Sequence, residues 1–357
     1  MKLKTEQFKD ALTKAVVGAS NNRLIPITQL MCISSKDNKV TLITTDATNY
    51  LYVSDDIEDN SEFYVTVFIE QFSKLISKLT SEYVELELKK NTLEVSGNGT
   101  YTFELPLDED GSLVQYPDPL SEYKHSKKAL TGTIDLKAIE TVLDSVQPSL
   151  STNYDFPEIA EYYAGDCVMA TDRVKVASFD KRLFSNDVLV SDRLMKLMGV
   201  IQDSDIQYEV QDNVVVLKSD KCTIFGNLDE VREYPVAVVS DLISMDFPSS
   251  CKINKQSFIN MLDRISLFVG KYDNKAIHMK FEKHGISIAN MAGKSEEVID
   301  YDSVKSYKAF DCIVDIELLL AQLKAYSSDV LDIQFGNEAT LKLVDDDITY
   351  IVALNNE

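Results

Sequence analysis

The strongest constraint on this chain is that it repeats itself. Residues 65–79 alternate as a strand at Val65 and Val67 and then turn helical, with Phe72, Leu75, Ile76 and Leu79 at three- and four-residue spacing. The same switch recurs at 188–201 (Val188, Val190, then Leu194, Leu197, Met198, Ile201) and at 312–326 (Val314, then Leu319, Leu320, Leu323). Val67, Val190 and Val314 stand about 123 and 124 residues apart, too far for a solenoid unit and right for duplication of a whole domain. An alternating strand follows each switch: Val84, Leu86, Leu88; Ile206, Tyr208, Val210; Leu331, Ile333, Phe335. An amphipathic helix precedes each: Phe8, Leu12, Ala15, Val16; Leu136, Ile139, Leu143; Phe258, Met261, Leu262, Ile265. Hairpin-like strands at 40–53, 166–179 and 285–301 fill the interval.

Each third therefore reads as an α+β unit, an antiparallel sheet with two helices on one face. Domains are expected at 1–125, 126–250 and 251–357, divided at the polar stretch 121–128 and the turn-rich stretch 247–252. Helices are expected over 4–17, 70–79, 135–147, 191–202, 254–271 and 315–326.

The composition, 45% hydrophobic and 26% charged, is that of a globular protein. A net charge of -22 argues against coating nucleic acid electrostatically, so any DNA role needs another device. Five scattered cysteines (Cys32, Cys167, Cys222, Cys251, Cys312) suggest reduced core residues rather than a disulfide framework or metal knuckle. The charged, amphipathic start and the lack of any run of about 18 apolar residues point to a soluble, cytoplasmic protein without a membrane partner.

Catalytic and cofactor motifs mostly fail. Gly293-Lys294-Ser295 resembles the end of a phosphate-binding loop, but Ile288 occupies the position of the required glycine, and a hairpin turn is the stronger reading. Gly97-Asn98-Gly99 lacks the third glycine of a dinucleotide fingerprint and reads as a turn. His125, His278 and His284 have no partner at ligand spacing. Asp345, Asp346 and Asp347 read as solvated charge in the turn of the last hairpin, with an acidic metal site as the lesser alternative. No enzyme and no cofactor are expected.

On this frame the local motifs resemble the bacterial DNA polymerase III beta subunit, the sliding clamp, over nearly the whole chain. Asn22-Arg23-Leu24-Ile25-Pro26-Ile27 is similar to the family's basic-then-Leu-Pro-Ile stretch after the first helix, and Thr45-Asp46 follows at the family's position. Ala170-Thr171-Asp172-Arg173-Val174-Lys175-Val176-Ala177 resembles Ala-Thr-Asp-Gly-His-Arg-Leu-Ala, and Glu233-Tyr234-Pro235 stands at an aromatic-Pro pair. Tyr350-Ile351-Val352-Ala353-Leu354 replaces a terminal Tyr-Val-Val-Met-Pro-Met. The departures at Arg173, Val174, Lys175, Ala353 and Leu354 mark a divergent, phage-encoded or cellular, clamp.

The resemblance implies that three domains make half a ring, that two chains close head to tail, and that the helices face a hole around duplex DNA. The ring would tether the replicative DNA polymerase and be opened by a clamp loader. Encirclement answers the charge problem, since a ring need not neutralise many phosphates to stay bound. The six expected helices carry about 12 basic and about 10 acidic residues, richer in positive charge than the rest of the chain. DNA contact is expected from Arg23, Lys74, Lys78, Arg193, Lys196, Arg264 and Lys324, solvated surface being the alternative for each lysine. Tyr101 and Phe103 are expected at the dimer interface against Leu267 and Phe268, with ordinary core as the alternative. The family's partner-peptide cleft falls on Ile159, Thr171, Lys175, Val176, Tyr234, Pro235, Leu318, Ile351, Ala353 and Leu354; Ile159, Val176 and Ile351 could instead be inward core residues. A rival from another class is a clamp-fold scaffold that docks partners without encircling DNA.

Overall fold

The computed structural model describes residues 1–357 except 21, 60, 154, 203–204, 271–274 and 356–357, so the last residue of the helix expected over 254–271 lies outside the described residues. Each third of the chain runs strand, helix, three strands, and then the same again. In the first third this is Lys2–Lys4, helix Thr5–Val17, then Leu30–Lys36, Lys39–Thr45 and Tyr50–Asp56. Its second half is Phe63–Phe68, helix Ile69–Lys78, Tyr83–Lys89, Thr92–Ser96 and Thr100–Glu104. The middle third repeats the order from Leu130–Ile134 to Cys222–Asn227, and the last from Ser249–Asn254 to Ile348–Ala353, with one extra short strand, Ser303–Lys305. In each third an unexpected strand precedes the hairpin: Leu30–Lys36, Glu161–Ala164 and Ala276–Phe281.

Helices lie at the six expected positions, mostly shorter, with Ile69–Lys78 shifted by one residue; helix Val236–Ser244 was not expected. Lys255–Ser266 ends before 271, and Asp192–Met198 spans only two turns. The helix starting at Leu136 leaves α geometry after Thr141, becoming a π turn over Val142–Val146 and a 3-10 turn over Gln147–Ser149. Pro148, with no N–H to donate and a ring that crowds the preceding turn, explains why it stops there.

Contacts divide the chain into two compact units, Met1–Leu136 with Arg193–Asp229, and Lys137–Asp192 with Glu230–Glu357. The middle third thus gives one half to each. The first unit holds an eight-stranded and a four-stranded sheet, the second a nine-stranded and a four-stranded sheet, and the pairings among the described strands are antiparallel. Where repeats meet inside a sheet, the join has the same form. Tyr50–Asp56 pairs with Cys222–Asn227, Leu51 opposite Ile224; Lys175–Phe179 pairs with Ile348–Ala353, Ala177 opposite Tyr350. In both, the second strand of one repeat's hairpin meets the last strand of the next.

The apolar faces of the helices supply the cores. Phe8 and Phe72 meet edge to face at 6.1 Å beneath the first two helices, and Phe258, Leu262, Leu319 and Leu323 are buried beneath the last two. Each such side chain contributes about 1.5–3 kcal/mol by leaving water. All five cysteines are free, and burial pushes the thiols of Cys32, Cys251 and Cys312 up to about 12, which keeps them inert.

One turn differs from expectation. Asp345 is not solvated but 2% exposed, because its carboxylate accepts hydrogen bonds from the Ser327 N–H, from Ser327 Oγ at 2.9 Å and from Ser328 Oγ. Asp346 and Asp347 are exposed. Gly293 has a φ of +64° and sits in the turn joining Gly285–Asn290 to Glu296–Asp300, where a hairpin was expected.

Candidate functional site

The second unit gathers an apolar cluster on the join between its repeats. Ile159, Val176, Tyr234 and Ile351 come together with Tyr163, Met169, Leu189 and Val239, and half-buried Phe156, Val231, Val236, Leu242 and Ile243 pack against them. Val176 and Ile351 are opposite one another across the strand join. Tyr163 and Tyr234 stack at 5.7 Å; the Tyr234 hydroxyl donates to the Met169 carbonyl at 3.2 Å and that of Tyr163 to Asp187 at 2.9 Å. Burial first, and then Asp187, pushes the Tyr163 phenol up to about 12. Ile159, Val176 and Ile351 are only 2–4% exposed, so the accessible apolar surface belongs to the surrounding half-buried residues; Val238, on the same helix as Val236 and Leu242, is 62% exposed.

The Thr171–Lys175 turn stands at one end of this cluster. Thr171 Oγ1 donates to the Lys175 carbonyl at 2.9 Å and accepts from the Arg173 N–H, while Asp172 Oδ1 accepts from the N–H groups of Val174 and Lys175. The same bonds recur at Thr45–Asn49, and Ala47 and Arg173 share a left-handed φ of +83° and +80°. Lys175 donates its ammonium to the Pro148 carbonyl, which caps the broken helix, and lies 3.4 Å from Asp172. The Ala353 N–H donates to the Val174 carbonyl at 2.8 Å, tying the last strand to the turn, and the Leu354 N–H to Ala339. Pro235 begins helix Val236–Ser244. Leu318 is half-buried on helix Ile316–Ala325 and is not part of the cluster, nor are Thr171, Lys175, Pro235, Ala353 or Leu354. The contributions of Phe156, Tyr163, Met169, Leu189 and Val239 went unread in the sequence; their apolar type alone does not separate a surface cluster from core.

All four sheets have edge strands, and two of these bear on assembly. Thr100–Glu104 bonds only to Thr92–Ser96, and Glu296–Asp300 only to Gly285–Asn290. Tyr101 is 38% exposed, whereas Phe103 turns inward and meets Phe72 edge to face at 5.7 Å. Leu267, which ends helix Lys255–Ser266, is 81% exposed and Phe268 54%.

The seven basic residues fall into different situations. Arg193 is committed inside the first unit: its Nε donates to Asp46 at 2.9 Å, and its Nη2 to the carbonyls of Val17 and Ala19. Arg264 grips Glu297 with two nitrogens, and that hydrogen bond lowers the Glu297 pKa. Lys74 is paired one turn back with Glu70, whose carboxyl it holds below its usual range. Arg23, Lys78, Lys196 and Lys324 are exposed. Among the described residues, no group of three or more His, Cys, Asp or Glu is placed to hold a metal, and no helix is long and apolar enough to cross a membrane.

Comparison with known proteins bears on these surfaces. Residues 1–111 match the family model described as the DNA polymerase III beta subunit, N-terminal domain. No curated protein matches the chain. Among solved structures, the DNA polymerase III beta chain of Streptococcus pneumoniae is similar with a TM-score of 0.86 at 18% identity, covering 100% of this chain and 99% of that one. The Bacillus subtilis DNA polymerase sliding clamp gives 0.84 at 16%, covering 100% and 98%, and the Thermotoga maritima beta subunit 0.84 at 14%, covering 100% and 99%. This chain therefore has the fold of the bacterial sliding clamps over its whole length, and its first 111 residues match the N-terminal domain of the DNA polymerase III beta subunit family.

Proposed function

We propose that the protein is a DNA sliding clamp, a processivity factor of three domains (1–125, 126–250 and 251–357), two copies of which close head to tail around duplex DNA. The observation that carries this reading is that two edge strands are the counterparts of strands joined within the chain. At both joins, the second strand of a repeat's hairpin pairs with the last strand of the next repeat. Glu296–Asp300 is that first kind of strand in the last repeat, and Thr100–Glu104 is the second kind in the first repeat. A second copy supplies the missing partner for each, a heterologous contact that closes a ring.

Equivalent hydrogen bonds within the chain support one register for this contact. The N–H groups of Asp46, Asp172 and Asn290 donate to Asn49, Lys175 and Ser295, and those of Leu105, Leu228 and Leu354 to Asn91, Asn213 and Ala339. Aligning these positions sets Ser295 of one copy opposite Phe103 of the other, and Glu297 opposite Tyr101. Leu267 and Phe268, exposed near the same edge through the bond from Asn290 Nδ2 to the Phe268 carbonyl, would be covered.

The apolar cluster of the second unit serves in this reading as the docking site for polymerase and loader, since a ring that slides is best gripped through a reversible site for apolar anchors. DNA is held by topology, with Arg23, Lys78 and Lys324 making weak, sequence-independent phosphate contacts. The engagement of Arg193, Lys74, Arg264 and Lys196 favours the rival scaffold reading, because it leaves fewer cations for DNA.

Light scattering tests closure: the mass should be twice the 40.2 kDa of the chain, and Tyr101→Glu, placed against Glu297, should return it to monomer. Protein loaded on circular DNA by a clamp loader should persist in high salt and be lost when the circle is cut. Equal loss from circular and linear DNA would favour the scaffold.

A further inference from the structure

The apolar cluster has an uneven charge pattern around it. Its segments place a carboxylate directly before an apolar member: Asp155 before Phe156, Glu158 before Ile159, Glu233 before Tyr234 and Asp241 before Leu242. None of these four carboxylates has a hydrogen-bond or ion-pair partner among the described residues. The neighbouring cations are mostly spoken for. Arg232 pairs with Glu230 at 2.6 Å, Arg182 with Asp166 and Asp187, and Lys175 with Asp172 and the Pro148 carbonyl. Arg173 is the exception, its guanidinium 4.3 Å above the ring of Phe156.

We infer that the peptide segment this cluster takes carries lysine or arginine beside its apolar anchors. The inference rests on reading the cluster as the partner site, and adds the charge of the partner to it. Apolar anchors supply affinity by leaving water, while four unpaired carboxylates raise the local concentration of a cationic segment and disfavour an acidic one. The single free guanidinium is already placed on an aromatic face, where it is held by the ring's negative electrostatic face and does not balance the four.

The test uses the full chain and two labelled synthetic peptides with the same Leu-Phe anchor, one flanked by lysines and the other by glutamates, followed by fluorescence anisotropy. The lysine peptide should bind roughly tenfold more tightly at low salt, and the gap should close as salt rises. Glu233→Lys with Asp241→Lys should reverse the preference, with light scattering confirming the parent mass. Equal binding of the two peptides, or a preference that ignores the double substitution, overturns the inference and leaves the site standing. If neither peptide binds a protein of parent mass, the site reading falls with it.

Discussion

The two joins between repeats present equivalent faces, and each is covered by the connector leading to the next repeat. On the first, Leu30, Cys32, Ile43 and Tyr52 lie beneath Tyr116, with Val114 and Leu120 packed alongside. On the second, Ile159, Tyr163, Met169, Val176 and Ile351 lie beneath Tyr234, with Val236, Leu242 and Ile243 alongside. Both connectors carry Tyr-Pro, at 116–117 and 234–235, and both phenols donate to a strand carbonyl at 3.2 Å, Leu30 in one and Met169 in the other. The difference lies in how the rest is fastened. Tyr52 donates to Asp118 and accepts from the Leu120 N–H; Tyr64 accepts from the Tyr116 N–H; Thr66 donates to the Val114 carbonyl. The second connector has its far end held by Lys342, which donates to the Ile243 carbonyl at 2.7 Å and to that of Met245, and by Asn337, which donates to Met245 Sδ. Its middle, Val236 to Leu242, rests on apolar contact, with Val238 62% exposed. A polar lattice closes the first face, whereas an apolar, partly open surface remains on the second, and the proposed docking site rests on that difference.

The largest test removes the two tyrosines. Tyr116→Ala and Tyr234→Ala each empty a buried site and should cost about 3–5 kcal/mol, read from urea midpoints. Tyr116→Ala should be the worse, because it also loosens the bond from its N–H to Tyr64. Tyr116→Phe and Tyr234→Phe remove only the phenol bond and should each cost about 1 kcal/mol. Equal losses at both faces in the alanine pair would break the comparison. A smaller stability effect with a larger functional one is expected at Val238→Lys: its exposure means almost no change in midpoint, yet polymerase stimulation should fall sharply. Unchanged stimulation would remove the second face as the docking surface.

Much of this was legible because it is local. The strand-to-helix switches appear in side-chain periodicity, and the Thr45-Asp46 and Thr171-Asp172 turns appear as dipeptides whose hydroxyl and carboxylate bond nearby N–H groups. What stayed hidden depends on distant partners. Arg193 reads as a helix-surface cation until Asp46, 147 positions away, takes it; Asp345 reads as solvated until Ser327 and Ser328 reach it. In Leu30–Lys36 and Glu161–Ala164 burial on both faces erases the alternation that marks a half-buried strand, whereas Ala276–Phe281 does alternate, with Ile277, Met279 and Phe281 buried and Lys280 exposed, and was legible in the sequence. Of the expected partner site, the buried positions were found together and the accessible ones were not, since half-buried Val236 and Leu242 look like any amphipathic helix.

The smallest effect at neutral pH lies in the phenols themselves, and it sets Tyr163 apart. Burial drives the pKa values of Tyr52 and Tyr116 on the first face, and of Tyr234 on the second, far up, whereas burial and Asp187 raise Tyr163 to about 12. An unfolded phenol ionises near 10. A group whose pKa is raised by folding stabilises the fold fully below its unfolded value, and that contribution disappears as pH climbs through the folded value. Stability should therefore be flat with respect to these groups up to about pH 9 and decline from about 10 towards 12. The chain has no tryptophan, so phenolate absorbance reports the titration directly. Tyr163→Phe should remove a transition near the upper end of that window, whereas Tyr52→Phe should leave the phenolate signal below pH 12 unchanged while the protein stays folded. If Tyr52 ionises before Tyr163, the first face is the more open of the two and the assignment of the partner site must be exchanged between them.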